Sequence, residues 1–204
     1  QLDAAEADLR SARTLAASGG YWSFEAISAA NLGVLHARGR RIAESMRCFS
    51  EARHLYARAG EPARTVAIMQ IDYAETLLHQ GIVADAVEAA RQAVRLIEPT
   101  GNQVILGDAY LMLARALLAS GDQRHAVTTA DRAAKTMLAS DRSRMVAQAR
   151  SVAVEAELAG AVDSERGEVI LDEVSALVGE LRSDGWHKRA AALQIVAIKA
   201  ARRL

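Results

Sequence analysis

The sequence predicts an all-α solenoid of antiparallel helix pairs, about ten helices in all, and three observations predict it. First, Asp72-Tyr73-Ala74-Glu75-Thr76-Leu77-Leu78-His79-Gln80-Gly81, followed by Ala86, Ala90 and Ala93, superimposes without a gap on Met112 to Gly121, followed by Ala126, Ala130 and Ala133. Ala74 and Ala114, Gly81 and Gly121, Ala86 and Ala126, Ala90 and Ala130, and Ala93 and Ala133 are pairs at one identical spacing, about 40 residues. A period of this length marks repeats that bury their apolar faces only against their neighbours. Second, 44 of 204 residues are alanine and only 4% are aromatic, so the apolar mass forms a thin seam of small side chains. Third, glycine (13) and proline (2) are scarce, which suits helices joined by short turns.

Each helix is placed by its breaks, giving ranges near 2–17, 22–38, 41–59, 62–79, 83–98, 103–119, 123–139, 142–159, 165–183 and 186–203. The breaks are Gly19-Gly20, Gly39, Ala59 to Pro62, Gly81, Pro99 to Gly101, Gly121-Asp122, Gly160 and Asp184-Gly185. Glycine ends a helix in the left-handed conformation without steric cost, and Pro62 suits a first helical position. The break at Ser140-Asp141 has no glycine and rests on Ser/Asp capping.

In an earlier repeat Gly33, Ser45, Phe49 and Ala52 precede Ala74, Ala86, Ala90 and Ala93, each by one position more than that spacing; only the turn glycine, Gly39, is out of register. The first helix carries Ala5, Leu9 and Ala12 at the spacing of Ala86, Ala90 and Ala93. It therefore reads as the second helix of a pair, and the helix from Trp186 onward reads as a first helix. The repeats fall near 1–20, 21–60, 61–101, 102–141, 142–185 and 186–204 of one continuous domain. Gln1 in place of an initiator methionine is expected of a piece of a longer array, whose apolar terminal seams would pair with something, for instance in a homo-oligomer.

Charge and cysteine content narrow the function. Lys+Arg and Asp+Glu are 25 each, so no global field attracts nucleic acid or an anionic membrane, and neither is an expected partner. Cys48 stands alone, which rules out an intrachain disulfide and fits a reducing, cytoplasmic location. No apolar run approaches the roughly 18–20 residues of a membrane span.

Reactive chemistry is not expected. Cys48 beside Phe49 reads as a buried thiol, and His36, His54, His79, His125 and His187 lack partners at metal-ligand spacing. His79 at a helix end suits the exposed carbonyls there. Phosphate-loop, dinucleotide and Gly-x-Ser-x-Gly motifs are absent. No catalytic, metal or cofactor residue is assigned. The basic tail from Lys188 through Lys199 to Arg203 reads as an amphipathic helix that packs on a core.

The skeleton resembles the tetratricopeptide repeat, and the resemblance implies that the solenoid winds as a right-handed superhelix. The matching residues are Ala74, Leu77, Gly81, Ala86, Ala90 and Ala93 in one repeat and Leu113-Ala114, Leu117, Gly121, Ala126, Ala130 and Ala133 in the next. Leu32-Gly33, Ser45, Phe49 and Ala52 match in the first. Ala90 and Ala130 replace the family's usual aromatic. The His54 to Gly60 and Arg182 to Trp186 phrases are similar to the repeat region ahead of CHAT domains, caspase-like peptidases of large actinobacterial proteins. Similar arrays also lie on the C-terminal side of bacterial ATP-dependent transcription activators.

In the repeat family the first helix of each pair lines a concave wall. The resemblance thus implies a protein-protein interaction or regulatory scaffold that binds a peptide or another domain, including one of its own chain, on that wall. With Gly33, Ala74, Ala114 and Val154 equivalent, the wall includes Ala30, Val34, Ile71, Glu75, Leu111, Arg115, Ser151 and Glu155. One turn earlier lie Ile27, Ile68, Asp108 and Gln148, and one turn later Leu78 and His79. The proposed contact set is Ile68, Ile71, Glu75, His79, Asp108, Leu111, Arg115, Gln148 and Glu155. The Lys and Asn clamp of chaperone-tail-binding members is absent at Ala30, Val34, Ile71 and Glu75. The alternative expectation is a small-molecule-sensing domain of a transcription activator, which needs a closed pocket.

Overall fold

A computed structural model of the chain describes residues 2–160 and 164–201. Arg202 and Arg203, expected in the last helix, lie outside the described residues. The described residues are all-α, with no strand. The elements are α1 (Leu2–Ser18), α2 (Trp22–Arg38), α3 (Ile42–Ala59), α4 (Ala63–His79), α5 (Val83–Ile97), α6 (Gln103–Ala119), α7 (Gln123–Ala139), α8 (Ser143–Gly160), α9 (Ser164–Ser183) and α10 (His187–Ala201). A short 3-10 turn, Glu98–Thr100, follows α5. The chain divides into two compact units, residues 1–100 with α1–α5 and residues 101–204 with α6–α10.

The helix ends obey one rule. Gly20, Arg40, Gly60, Gly81, Gly101, Gly121 and Asp141 all have positive φ and recur at a nearly constant interval, half a repeat. Around most of them the same two hydrogen bonds close the helix. At Gly81, for example, the Gly81 amide donates to the Leu78 carbonyl and the Ile82 amide to the Leu77 carbonyl. This is the pattern in which a left-handed residue satisfies the last free carbonyls. Arg40, rather than Gly39, is therefore the register partner of Gly81, at the same separation as Gly33 from Ala74, and Asp141 does the same work where no glycine stands. A left-handed arginine is strained, so Arg40→Gly should stabilise the N-terminal unit by about 0.5–1 kcal/mol in chemical denaturation. A loss of stability would show that the Arg40 side chain contributes more than its backbone costs.

The repeat skeleton is the core. In the N-terminal unit Ala74, Ala86, Ala90 and Ala93 are fully buried, and in the C-terminal unit Ala114, Ala126, Ala130 and Ala133 are too. Close approach of α2 and α3 explains Gly33. A Cβ there would lie 2.8 Å from Phe49 Cδ2, and the Ser45 hydroxyl donates to the Gly33 carbonyl at 2.7 Å. Phe49 is fully buried with its ring centroid 4.9 Å from that of Tyr73 on α4. Cys48 is buried in the same layer, and burial pushes its thiol pKa up.

α1 packs chiefly on α2, with Ala16 buried, Ala5 and Leu9 half-buried and Ala12 exposed. In the C-terminal unit α8, α9 and α10 share a cluster that includes Val154, Leu177, Leu181, Ala190 and Leu193. Among the described residues no helix is long and apolar enough to cross a membrane.

Candidate peptide-binding groove

Within the N-terminal unit α2 and α4 are both followed by a helix that turns back, so they come to lie side by side. Between them is a groove of about 510 Å³ lined by Asn31, Val34, Ala37, Arg38, Arg40, Asp72, Glu75, Thr76, His79 and Gln80. The lining residues recur at helical spacing on both helices, as side chains on one face must. Val34, Glu75 and His79 are the wall residues expected from the repeat register, and they do share this groove. The Gln80 amide reaches back to the Ala37 carbonyl at 3.5 Å and tethers one end of it.

The groove is graded along its length. At the ends of α2 and α4 sit Arg38, Arg40 and His79; Asn31 and Asp72 lie two turns earlier, about 10 Å along the axis. One turn further toward the helix starts the surface becomes apolar. Ile27 on α2 and Ile68 on α4 are exposed, Phe24 is 64% exposed, and Ile71 is half-buried. Exposed aromatic and branched side chains on neighbouring helices are where a partner gains most from desolvation.

Asp72 dominates the electrostatics, although in the sequence it is only one more polar residue of the repeat skeleton. Burial in the groove wall lifts its carboxyl from 3.8 to about 6, and Glu75 on the next turn adds to the shift. No arginine offsets it. The carboxylates of Asp72 and Glu75 form no ion pair among the described residues. On α3, Tyr56 is pushed up to about 12 by burial first, with Glu61 and then Asp72 adding to it. Thr76 is 7% exposed, lines the same groove, and its hydroxyl has no hydrogen-bond partner among the described residues. The spacing that would have flagged Asp72 is its register with Asn31, one repeat earlier, and its place one turn from Glu75.

The C-terminal unit treats its equivalent residues differently. Leu111 and Gln148 are buried, each 5% exposed, so neither is open to a ligand. Arg115 donates to Gln148 Oε1 at 2.8 Å, and Arg142 pairs with Asp108 at 2.9 Å. From α10, Arg189 donates to the fully buried Ser151 hydroxyl at 2.7 Å and to Glu155 at 2.6 Å. Asp108, Arg115, Gln148 and Glu155 are thus tied up by contacts between α6, α8, α10 and the turn before α8. Of the nine residues expected on the wall, the four on α4 keep exposed or half-buried side chains without such partners.

Among the described residues no three His, Cys, Asp or Glu side chains come together as metal ligands. No protein-family profile matches the chain, and no curated protein does.

Proposed function

We propose that this chain is a protein-interaction module that receives a peptide segment on the α2–α4 face of its N-terminal unit. One observation carries the reading. A groove of about 510 Å³ combines uncompensated polar groups with an exposed apolar shelf one turn away, whereas the corresponding polar groups of the C-terminal unit are mutually satisfied. Grooves between helices that offer apolar contacts and a few placed polar groups suit extended or helical segments. The resemblance to tetratricopeptide repeats supports the same use, and our reading is of one stretch of a superhelical array within a larger multidomain protein; the lone Cys48 supports work in the cytoplasm.

A photo-reactive residue in place of exposed Asn31 tests it. Cross-links should attach one defined segment of a partner or of the parent chain, and their yield should fall about thirtyfold with Ile27→Ser/Ile68→Ser, since each lost apolar contact costs about 1 kcal/mol. The same label in place of exposed Arg91 on α5 should attach nothing. Equal yields from the two positions would overturn the assignment. The groove's volume also falls in the range of small-molecule pockets, which favours ligand sensing as the second reading. A metabolite that raises the melting temperature of the wild type but not of Glu75→Gln would support that reading instead.

A further inference from the structure

Resting on the peptide-docking reading, we infer that the groove selects a protein segment carrying a basic side chain next to an apolar one, the cation seated between Asp72 and Glu75 and the apolar residue against Ile27 and Ile68. Three observations meet at this place. Asp72 and Glu75 are one turn apart on one face of α4 and both line the groove, with no cation paired to either. The Thr76 hydroxyl, on a side chain more than nine-tenths buried and unpartnered among the described residues, lines the same wall and can accept a hydrogen bond from an ammonium or guanidinium. Val34 and Ala37 supply the apolar side of the groove for an alkyl stem.

The unbound groove therefore carries a cost that a ligand cation removes. A half-buried carboxylate without a partner is disfavoured, and a charged donor brought to it gains a charge-assisted hydrogen bond in a partly desolvated place. Arg38 and Arg40 do not fill this role. Arg38 sits about two turns along the axis from Asp72 and one from Glu75, neither arginine pairs with Glu75, and neither is among the groups that shift Asp72. Their position instead disfavours a ligand whose cation lies at that end, which fixes direction as well as charge.

The apolar shelf separates a protein segment from a free polyamine. Ile68 precedes Asp72 by one turn, about 6 Å, so the ligand must hold an apolar group about that far from its cation. Side chains two apart in an extended strand, or four apart in a helix, meet that distance, and a polyamine carries no such group.

Affinity is also tied to pH. Charged groups at the groove are Glu75 and His79 from α4 and Arg38 and Arg40 from α2 and its turn; on α3, Tyr56 feels the Asp72 charge, and neither α3 nor α5 contributes a lining residue. Asp72 must be ionised to hold a cation, so binding should strengthen as pH rises through about 6 and level off above 7.

The test uses the whole chain, isotopically labelled, and three blocked, fluorescent ten-residue peptides in a Gly/Ser background. Each carries one leucine and, two residues on, lysine, glutamine or glutamate. The lysine peptide should bind about tenfold more tightly than the glutamine peptide, with amide shifts at Asn31, Val34 and residues 72–80, and the glutamate peptide more weakly still. Asp72→Asn/Glu75→Gln, an isosteric pair, should erase the preference while leaving the helical circular dichroism unchanged. If groove amides move equally for all three peptides, the cation seat is wrong and the docking groove stands. If no peptide moves them at millimolar concentration, both are wrong. Spermidine producing the same shifts as tightly as the lysine peptide would overturn the assignment to a protein segment.

Discussion

Replacing Phe49 with alanine is expected to cost the N-terminal unit about 3–5 kcal/mol, as removal of a fully buried aromatic ring usually does. The reason lies in an exchange between two positions. The next two repeats have Ala74 with Ala90 and Ala114 with Ala130 at the equivalent positions, whereas this one has Gly33 against Phe49. The ring fills the space that the absent Cβ leaves, and it touches Tyr73 as well. A double-mutant cycle exposes this coupling. Gly33→Ala alone should destabilise, because its Cβ would meet Phe49 Cδ2 at 2.8 Å. In the Phe49→Ala background the same change should turn neutral or stabilising by up to about 1 kcal/mol, since alanine outranks glycine inside a helix. Trp22 fluorescence in a Trp186→Phe background follows this unit during denaturation. Additive effects in the cycle would mean that the ring and the glycine are independent.

Asp72→Asn is expected to stabilise the protein and to weaken the proposed binding of a lysine-bearing peptide at once. The folded carboxyl titrates near 6 and its ordinary value is 3.8, so ionised Asp72 opposes folding. The sign follows from linkage: the folded state holds the proton more tightly, so this group lowers stability as pH rises from about 4 to 6, with the full penalty present above that window. The difference between 3.8 and about 6 corresponds to roughly 3 kcal/mol, or about 1–2 kcal/mol after solvent screening of a half-buried group. Asp72→Asn should therefore raise the melting temperature at pH 7.5 and change little at pH 4. Glu6 acts in the opposite sense at lower pH. Arg41 and then Arg10 hold its carboxyl down at about 2, so its contribution is lost only as pH falls from about 4.5 toward 2. The two windows scarcely overlap, and a stability profile from pH 2 to 8 resolves them. A variant that is less stable than wild type at pH 7.5 would show that the Asp72 carboxylate is well solvated or paired.

Helix placement was legible because nearly every break carries its own chemistry. Glycine at Gly20, Gly60, Gly81, Gly101 and Gly121 takes the left-handed conformation, and Asn102 and Asp122 cap the helices that follow from their side chains. Arg40 and Asp141 were harder to read, since composition does not announce a left-handed arginine or aspartate. Only the strict spacing does. The buried face was legible for the same reason, because a side chain that recurs once per repeat in an array meets the same neighbour each time.

The candidate site was legible only by half. Repeat register placed Glu75 and His79 on a common face, but it treated every repeat alike. In the C-terminal unit the wall is occupied by α10, whose Arg189 reaches Ser151 and Glu155, and by Arg142 from the turn before α8. Such pairings join helices far apart in the chain and leave no local pattern. Asp72 escaped notice because its significance comes from burial, and an aspartate on an exposed helix has the same sequence signature.

The most direct measurement is a carbon-13 titration of the Asp72 side-chain carboxyl in the free protein and in the presence of the lysine-bearing peptide. A midpoint near 6 in the free protein, falling on addition of the peptide, is the result expected of an uncompensated carboxylate waiting for a cation. A midpoint near 4 that the peptide leaves in place would contradict it, and the groove would then be an ordinary solvated surface between two helices.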